Sequence, residues 1–81
     1  MAKPSTSTEL DGLLLAAHAA QDHGELVRLY TLAADDKEAQ GDIEATCFFL
    51  TQAFIFGLES GDPNTARLNE RLVAYGREVP L

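Results

Sequence analysis

The stretch Ile43–Glu59, IEATCFFLTQAFIFGLE, decides the fold. It holds all four phenylalanines of the chain, Phe48, Phe49, Phe54 and Phe56, together with the single cysteine, Cys47. It is too long for an ordinary strand and shows no alternation of period two, so it reads as a helix. Its flanks agree. Gly41-Asp42 precedes it and Ser60-Gly61-Asp62-Pro63 follows. Asp42 suits the cap of the first turn, and Gly61 suits the left-handed position that ends the last.

At about 100° per residue this helix carries two apolar faces. Ile43, Cys47, Leu50, Phe54, Gly57 and Leu58 make the first. Ala45, Phe48, Phe49, Ile55 and Phe56 make the second, with Gln52 among them. A helix at a protein surface needs one apolar stripe. A helix that is apolar nearly all round must be surrounded, by its own chain or by a partner.

Working outward, residues 1–7 read as a polar tail, and residues 8–78 as one helical domain of two hairpins, 8–40 and 42–78. Residues 79–81 form a second tail. The first helix spans Glu9–Asp22. Thr8 and Asp11 give a capping pattern, and Leu10, Leu13, Leu14 and Ala17 give a stripe at helical spacing. Ala16, Ala17, Ala19 and Ala20 are small enough to admit a neighbouring helix closely. His23-Gly24 reads as the break, and Asp22 with Glu25 as the next capping pattern. The second helix runs from Glu25 to Gln40, striped by Leu26, Leu29, Tyr30 and Ala33. Its end, Asp35-Asp36-Lys37-Glu38, places acids against the negative pole of the helix, which predicts fraying there. Beyond the central helix, Asp62 reads as a cap and Pro63 as the first position of a fourth helix. That helix carries Ala66, Leu68, Leu72, Val73 and Tyr75 and ends at Gly76. Arg67 and Arg71 lie one turn apart as a basic strip. No segment reads as a strand, and short links favour antiparallel neighbours.

Eighty-one residues allow one domain, and a chain of this size has a modest core. The net charge of −7 disfavours nucleic acid and anionic membrane surfaces as partners. It divides unevenly, −8 over residues 1–62 and +1 over residues 63–81. A single cysteine excludes an internal disulfide and a cysteine metal cage, and fits a reducing compartment. No apolar run at the N-terminus reads as a signal peptide, and the central stretch is too interrupted to span a bilayer. These features predict a cytoplasmic protein.

A shift of 37 residues aligns Leu13 with Leu50, Ala16 with Ala53 and Gly24 with Gly61. Each half then reads helix, Gly-acidic turn, helix. Such a unit buries its apolar face only against a like unit. Over about residues 10–78 this pattern resembles a tetratricopeptide-type pair of helical hairpins. Ala16 and Ala17 in the first helix, Gly24-Glu25 and Gly61-Asp62 at the turns, and Ala66 in the final helix carry the resemblance. A plain four-helix bundle gives a similar pattern. The resemblance implies a protein-binding module in which the first helix of each hairpin lines a concave binding surface. Phe49, Gln52 and Phe56 would lie there.

No constellation for catalysis is present. His18 and His23 are five apart, whereas metal pairs on a helix need three or four, so no metal or cofactor is expected. Cys47 sits among apolar residues with Asp42 and Glu44 nearby, the wrong charge to activate a thiol, and reads as a small buried hydrophobe. The chain is acidic and short like an acyl carrier protein, but it has no Asp-Ser dipeptide to carry that cofactor. The acids around Asp35–Glu44 do not match a calcium loop. The expectation is an all-α protein that is not an enzyme. It binds a partner protein, or its own copy as a homodimer, through Phe48, Phe49, Gln52, Ile55 and Phe56. The alternative is a small accessory or stabilising subunit of a larger enzyme or assembly, anchored by the same face.

Overall fold

Three short breaks cut the described residues into four helices, and each is built from a cap position and a left-handed residue. The structure, a computed structural model, describes residues 6–81, with side chains from Glu9 onward. The helices are α1 (Thr6–Ala20), α2 (His23–Ala39), α3 (Ile43–Ser60) and α4 (Thr65–Ala74). The described residues contain no strand. This is the all-α arrangement of two antiparallel hairpins that the pattern predicts.

The caps act locally, as the sequence indicates. The Asp22 carboxylate accepts from the Glu25 N–H at 3.2 Å, and the Asp42 carboxylate accepts from the Ala45 N–H at 3.1 Å. Each satisfies a donor that the helix itself leaves unpaired. Gly61 takes the left-handed conformation, φ 65°, and its N–H returns to the Gly57 carbonyl.

Other boundaries move. α1 begins ahead of Thr8, and α2 begins at His23, so Gly24 lies within its first turn. The left-handed residue of the first break is Gln21, φ 54°. With Asp22 as the cap, Glu25 falls three residues on, and that spacing places His23 and Gly24 inside the helix. α4 starts at Thr65 with Asn64 at the cap position, two residues after the proline. Asp62-Pro63-Asn64 forms a turn instead. The Asp62 carboxylate accepts from the Asn64 N–H, and its carbonyl accepts from the Thr65 hydroxyl. Proline suits the second position of such a turn as well as a helix start.

The acidic end of α2 is helical as far as Ala39. Arg71 on α4 reaches Asp35 at 2.8 Å and Glu38 at 3.3 Å, and the Tyr75 hydroxyl donates to Glu38. Arg71, a cation from α4, thus offsets the unfavourable position of these acids at the helix end.

The helices pack in chain order. α2 against α3 is the most extensive contact, with α1 on α2 and α4 on α3. The molecule measures 43 × 31 × 15 Å. A slab this thin leaves part of every helix facing outward. Two apolar clusters fill it. Val27, Ala34, Cys47, Leu50, Ala53, Phe54, Leu68 and Leu72 join α2, α3 and α4. Ala17, Leu26 and Leu29 join α1 to α2, with Leu10 and Leu14 against them. Tyr30 and Phe56 touch both clusters.

The internal register also shifts. The 37-residue alignment pairs exposed Leu13 and Ala16 with Leu50 and Ala53, which are fully buried. Sliding by one residue pairs Leu14 with Leu50 and Ala17 with Ala53, all on the inner side. Of the four alanines in α1, only Ala17 is buried.

Candidate protein-interaction surface

The inner face of α3 is Thr46, Cys47, Leu50, Ala53, Phe54 and Gly57. Thr46 belongs there despite its hydroxyl, because that hydroxyl donates to the Asp42 carbonyl at 2.7 Å and leaves a methyl group for packing. Cys47 is buried, as its apolar neighbours predict. Ile43 and Leu58, expected on the packed face, are exposed. The true inner face is centred between the two arcs the sequence offers, on small residues that let α2 and α4 approach.

The five candidate partner-binding residues therefore divide. Phe49 and Phe56 lie on the flank of α3 and pack against the core. Phe48 and Ile55, two turns apart, point outward and are 56% and 43% exposed. Gln52 lies between them on the same outward stripe and is half-buried. The second face is thus neither wholly exposed nor wholly packed.

Beneath the outward stripe lies an aromatic layer that three helices assemble. The Tyr30 and Phe56 rings are stacked at 6.0 Å and 5°, and Tyr30 stacks on Phe49 at 6.2 Å. Phe48 meets the edge of Phe49 at 5.3 Å. His18 from α1 stands edge-on to Phe56 at 5.6 Å and shares a hydrogen bond of 2.9 Å with the Tyr30 hydroxyl. His23, at the start of α2, lies 5.4 Å from Phe56. Burial pushes the Tyr30 phenol above its ordinary value. The two histidines are not independent surface groups, as their spacing suggests. They close around one phenylalanine from two different helices. The sequence holds no local signal for this, since the partners are distant along the chain.

At the other end of the same valley between α1 and α3 is a depression of about 40 Å³. Leu10 and Leu14 of α1, Ala33 of α2 and Phe49 of α3 supply its apolar walls, and Asp11, Asp36 and Lys37 its polar lip. A larger open groove of about 820 Å³ runs between α2 and α4 on Val27 and Leu68. It presents Arg28, Arg67 and Arg71 opposite Asp35, Glu38 and Asp62, so its charges balance. Arg28 is held by Glu25, and Arg71 by Asp35 and Glu38.

Among the described residues no group of three or more His, Cys, Asp or Glu side chains is placed to hold a metal ion, and no helix is long and apolar enough to cross a membrane. No protein-family model matches this chain, and comparisons with curated proteins and with solved structures found no match either.

Proposed function

We propose that this chain is a non-catalytic protein-interaction module whose partner covers the outward side of α3 and the neighbouring side of α1. One observation carries the reading: Phe48 and Ile55 stand exposed, two turns apart, above a packed aromatic layer. A rigid support under exposed apolar anchors keeps the entropy cost of binding low. Contiguous exposed apolar surface marks interaction sites, and Phe48 and Ile55 share one stripe of α3. The resemblance to tetratricopeptide hairpins supports the same face, since α1 and α3 are the first helices of their hairpins. The partner is another protein, which would make the chain an accessory subunit, or a second copy of the chain.

The test pairs Phe48→Glu with Ile55→Glu in one variant. Circular dichroism and thermal melting establish that it folds. Light scattering across a dilution series and capture by the tagged protein then compare it with the parent. The expected result is unchanged helicity with loss of the dimer or of the captured partner. A folded variant that keeps the parent's mass and partner overturns the reading.

A further inference from the structure

We propose that the partner docked on the α1/α3 valley is a basic amphipathic helix, an inference that rests on the interaction surface proposed above. The valley floor is apolar at the depression walled by Leu10, Leu14, Ala33 and Phe49. Its lip carries two carboxylates, Asp11 and Asp36, against one cation, Lys37. Farther along α3, beyond Ile55, Glu59 shares the outward stripe with Phe48 and Ile55 and makes no ion pair among the described residues. Three of the five described cations, Arg28, Arg71 and Arg77, are already held by carboxylates of the chain, none of them Asp11, Asp36 or Glu59.

An apolar floor with an acidic lip, and a further unpaired carboxylate along α3, selects a ligand with apolar residues on one face and cations beside them. Phe48 and Ile55 are separated by two turns, about 10 Å along the axis, the same interval that separates residues i and i+7 of a partner helix. The depression takes one aliphatic side chain of that helix. Lysine or arginine stems lie along the lip while their heads reach Asp11, Asp36 and Glu59. A second copy fits poorly, because it would bring a net charge of −7 and the same acidic lip against this face.

The probe is a synthetic peptide of about five helical turns, leucine on one face and lysine on the other. One control has the same pattern with glutamate replacing lysine. A second has the same leucine and lysine content with leucine scattered around the helix. Backbone amide shifts of the full chain locate binding, and titration measures it. The expected result is that the leucine/lysine helix shifts Leu10, Asp11, Leu14, Phe48 and Ile55, and that both controls bind at least about tenfold more weakly. Asp11→Asn with Asp36→Asn should weaken binding about fivefold and make it less sensitive to salt.

Equal binding of the glutamate peptide on the same face overturns the charge preference and leaves the interaction surface standing. Equal binding of the scattered peptide, or shifts confined to the α2/α4 groove, overturns the docking site. Absence of binding by any peptide overturns this inference. The surface itself then stands or falls on whether Phe48→Glu with Ile55→Glu still abolishes the native complex.

Discussion

Tyr30 and Phe56 lie nearly parallel, ring centres 6.0 Å apart and planes within 5°, and both pack against each of the two apolar clusters. Tyr30 brings in α2, Phe56 brings in α3, and His18 of α1 touches both rings. This pair couples the α1/α2 cluster to the α2/α3/α4 cluster, so its loss should loosen α1 as well as the local contact. Phe56→Ala should cost about 2–3 kcal/mol, below the range for a fully buried phenylalanine because Phe56 is half-buried. Phe48→Ala should cost under about 0.5 kcal/mol, as expected of a surface position. Chemical denaturation of both variants checks the contrast. Equal losses would mean that Phe48 is held by more of the fold than its exposure implies.

The contrast also decides which positions can probe the interface. Phe56→Glu would place a charge against Tyr30, His18 and His23, so its failure to fold would say nothing about a partner. Phe48 and Ile55 are the positions where a charge tests binding alone. Paired there as glutamates, they should leave the melting temperature within a few degrees of the parent.

Gly57 is buried where α3 crosses α4, and a Cβ placed on it would lie 2.6 Å from the Thr65 Oγ1. Helix propensity alone favours alanine over glycine by about 1 kcal/mol. The close approach reverses the sign, because overpacking of this kind costs about 1–3 kcal/mol. The Thr65 hydroxyl is held on the Asp62 carbonyl at 2.7 Å and is not free to swing aside. Gly57→Ala should therefore destabilise the protein. Gly57→Ala with Thr65→Ala should recover part of that loss, since the nearest obstructing atom is gone. Additive losses in the double variant would place the obstruction in the α4 backbone instead.

Both tyrosines should titrate above the ordinary phenol value of about 10. For Tyr75 the cause is first its hydrogen bond to Glu38 and then burial, and for Tyr30 it is burial. A phenol whose folded value is raised stabilises the fold at every pH below about 10, and that contribution disappears as pH climbs through the raised value. Stability should thus fall as pH rises above about 10, with phenolate absorbance rising later in the folded protein than in denaturant. Glu38→Gln should move only the Tyr75 step to lower pH. If neither step moves, the Tyr75 bond does not control its titration.

The parts of this fold legible in the sequence are the parts set by neighbours in the chain. Asp22, Asp42 and Gly61 cap helices whatever surrounds them, so the number and order of helices follow from pattern. The orientation of α3 does not, because an apolar arc covers most of its circumference. Which third turns inward depends on the small residues Ala53 and Gly57 meeting other helices. Thr46 reads as an interruption only until its hydroxyl is seen bound to the Asp42 carbonyl. The candidate surface was half legible for the same reason. Period and composition pick out Phe48, Phe49, Gln52, Ile55 and Phe56 together, and only the packing of Tyr30 and His18 separates the supporting pair from the exposed pair. The proline at position 63 has two acceptable local roles, and the Asp62 side chain decides between them through the Asn64 N–H.

Arg71 links the acidic end of α2 to α4, which the backbones alone do not bring together. Its guanidinium reaches Asp35 and Glu38 while its side chain is largely buried, with 23% exposed. Without it, two carboxylates would stand near the negative pole of α2 with no cation from α4, the arrangement that predicts fraying. Arg71→Met keeps most of the apolar stem and removes the charge. It should cost about 0.5–1 kcal/mol and flatten the salt dependence of stability. Arg71→Ala should cost more, because the stem no longer covers the groove floor. Hydrogen exchange gives the sharper readout. Amides at the end of α2, up to Gln40, should exchange faster in Arg71→Met, while those at its start, near Leu26 and Val27, should be unchanged. Uniform acceleration along α2 would mean that the substitution weakens the whole fold, and unchanged exchange at Ala39 and Gln40 would mean that helix propensity alone holds that end.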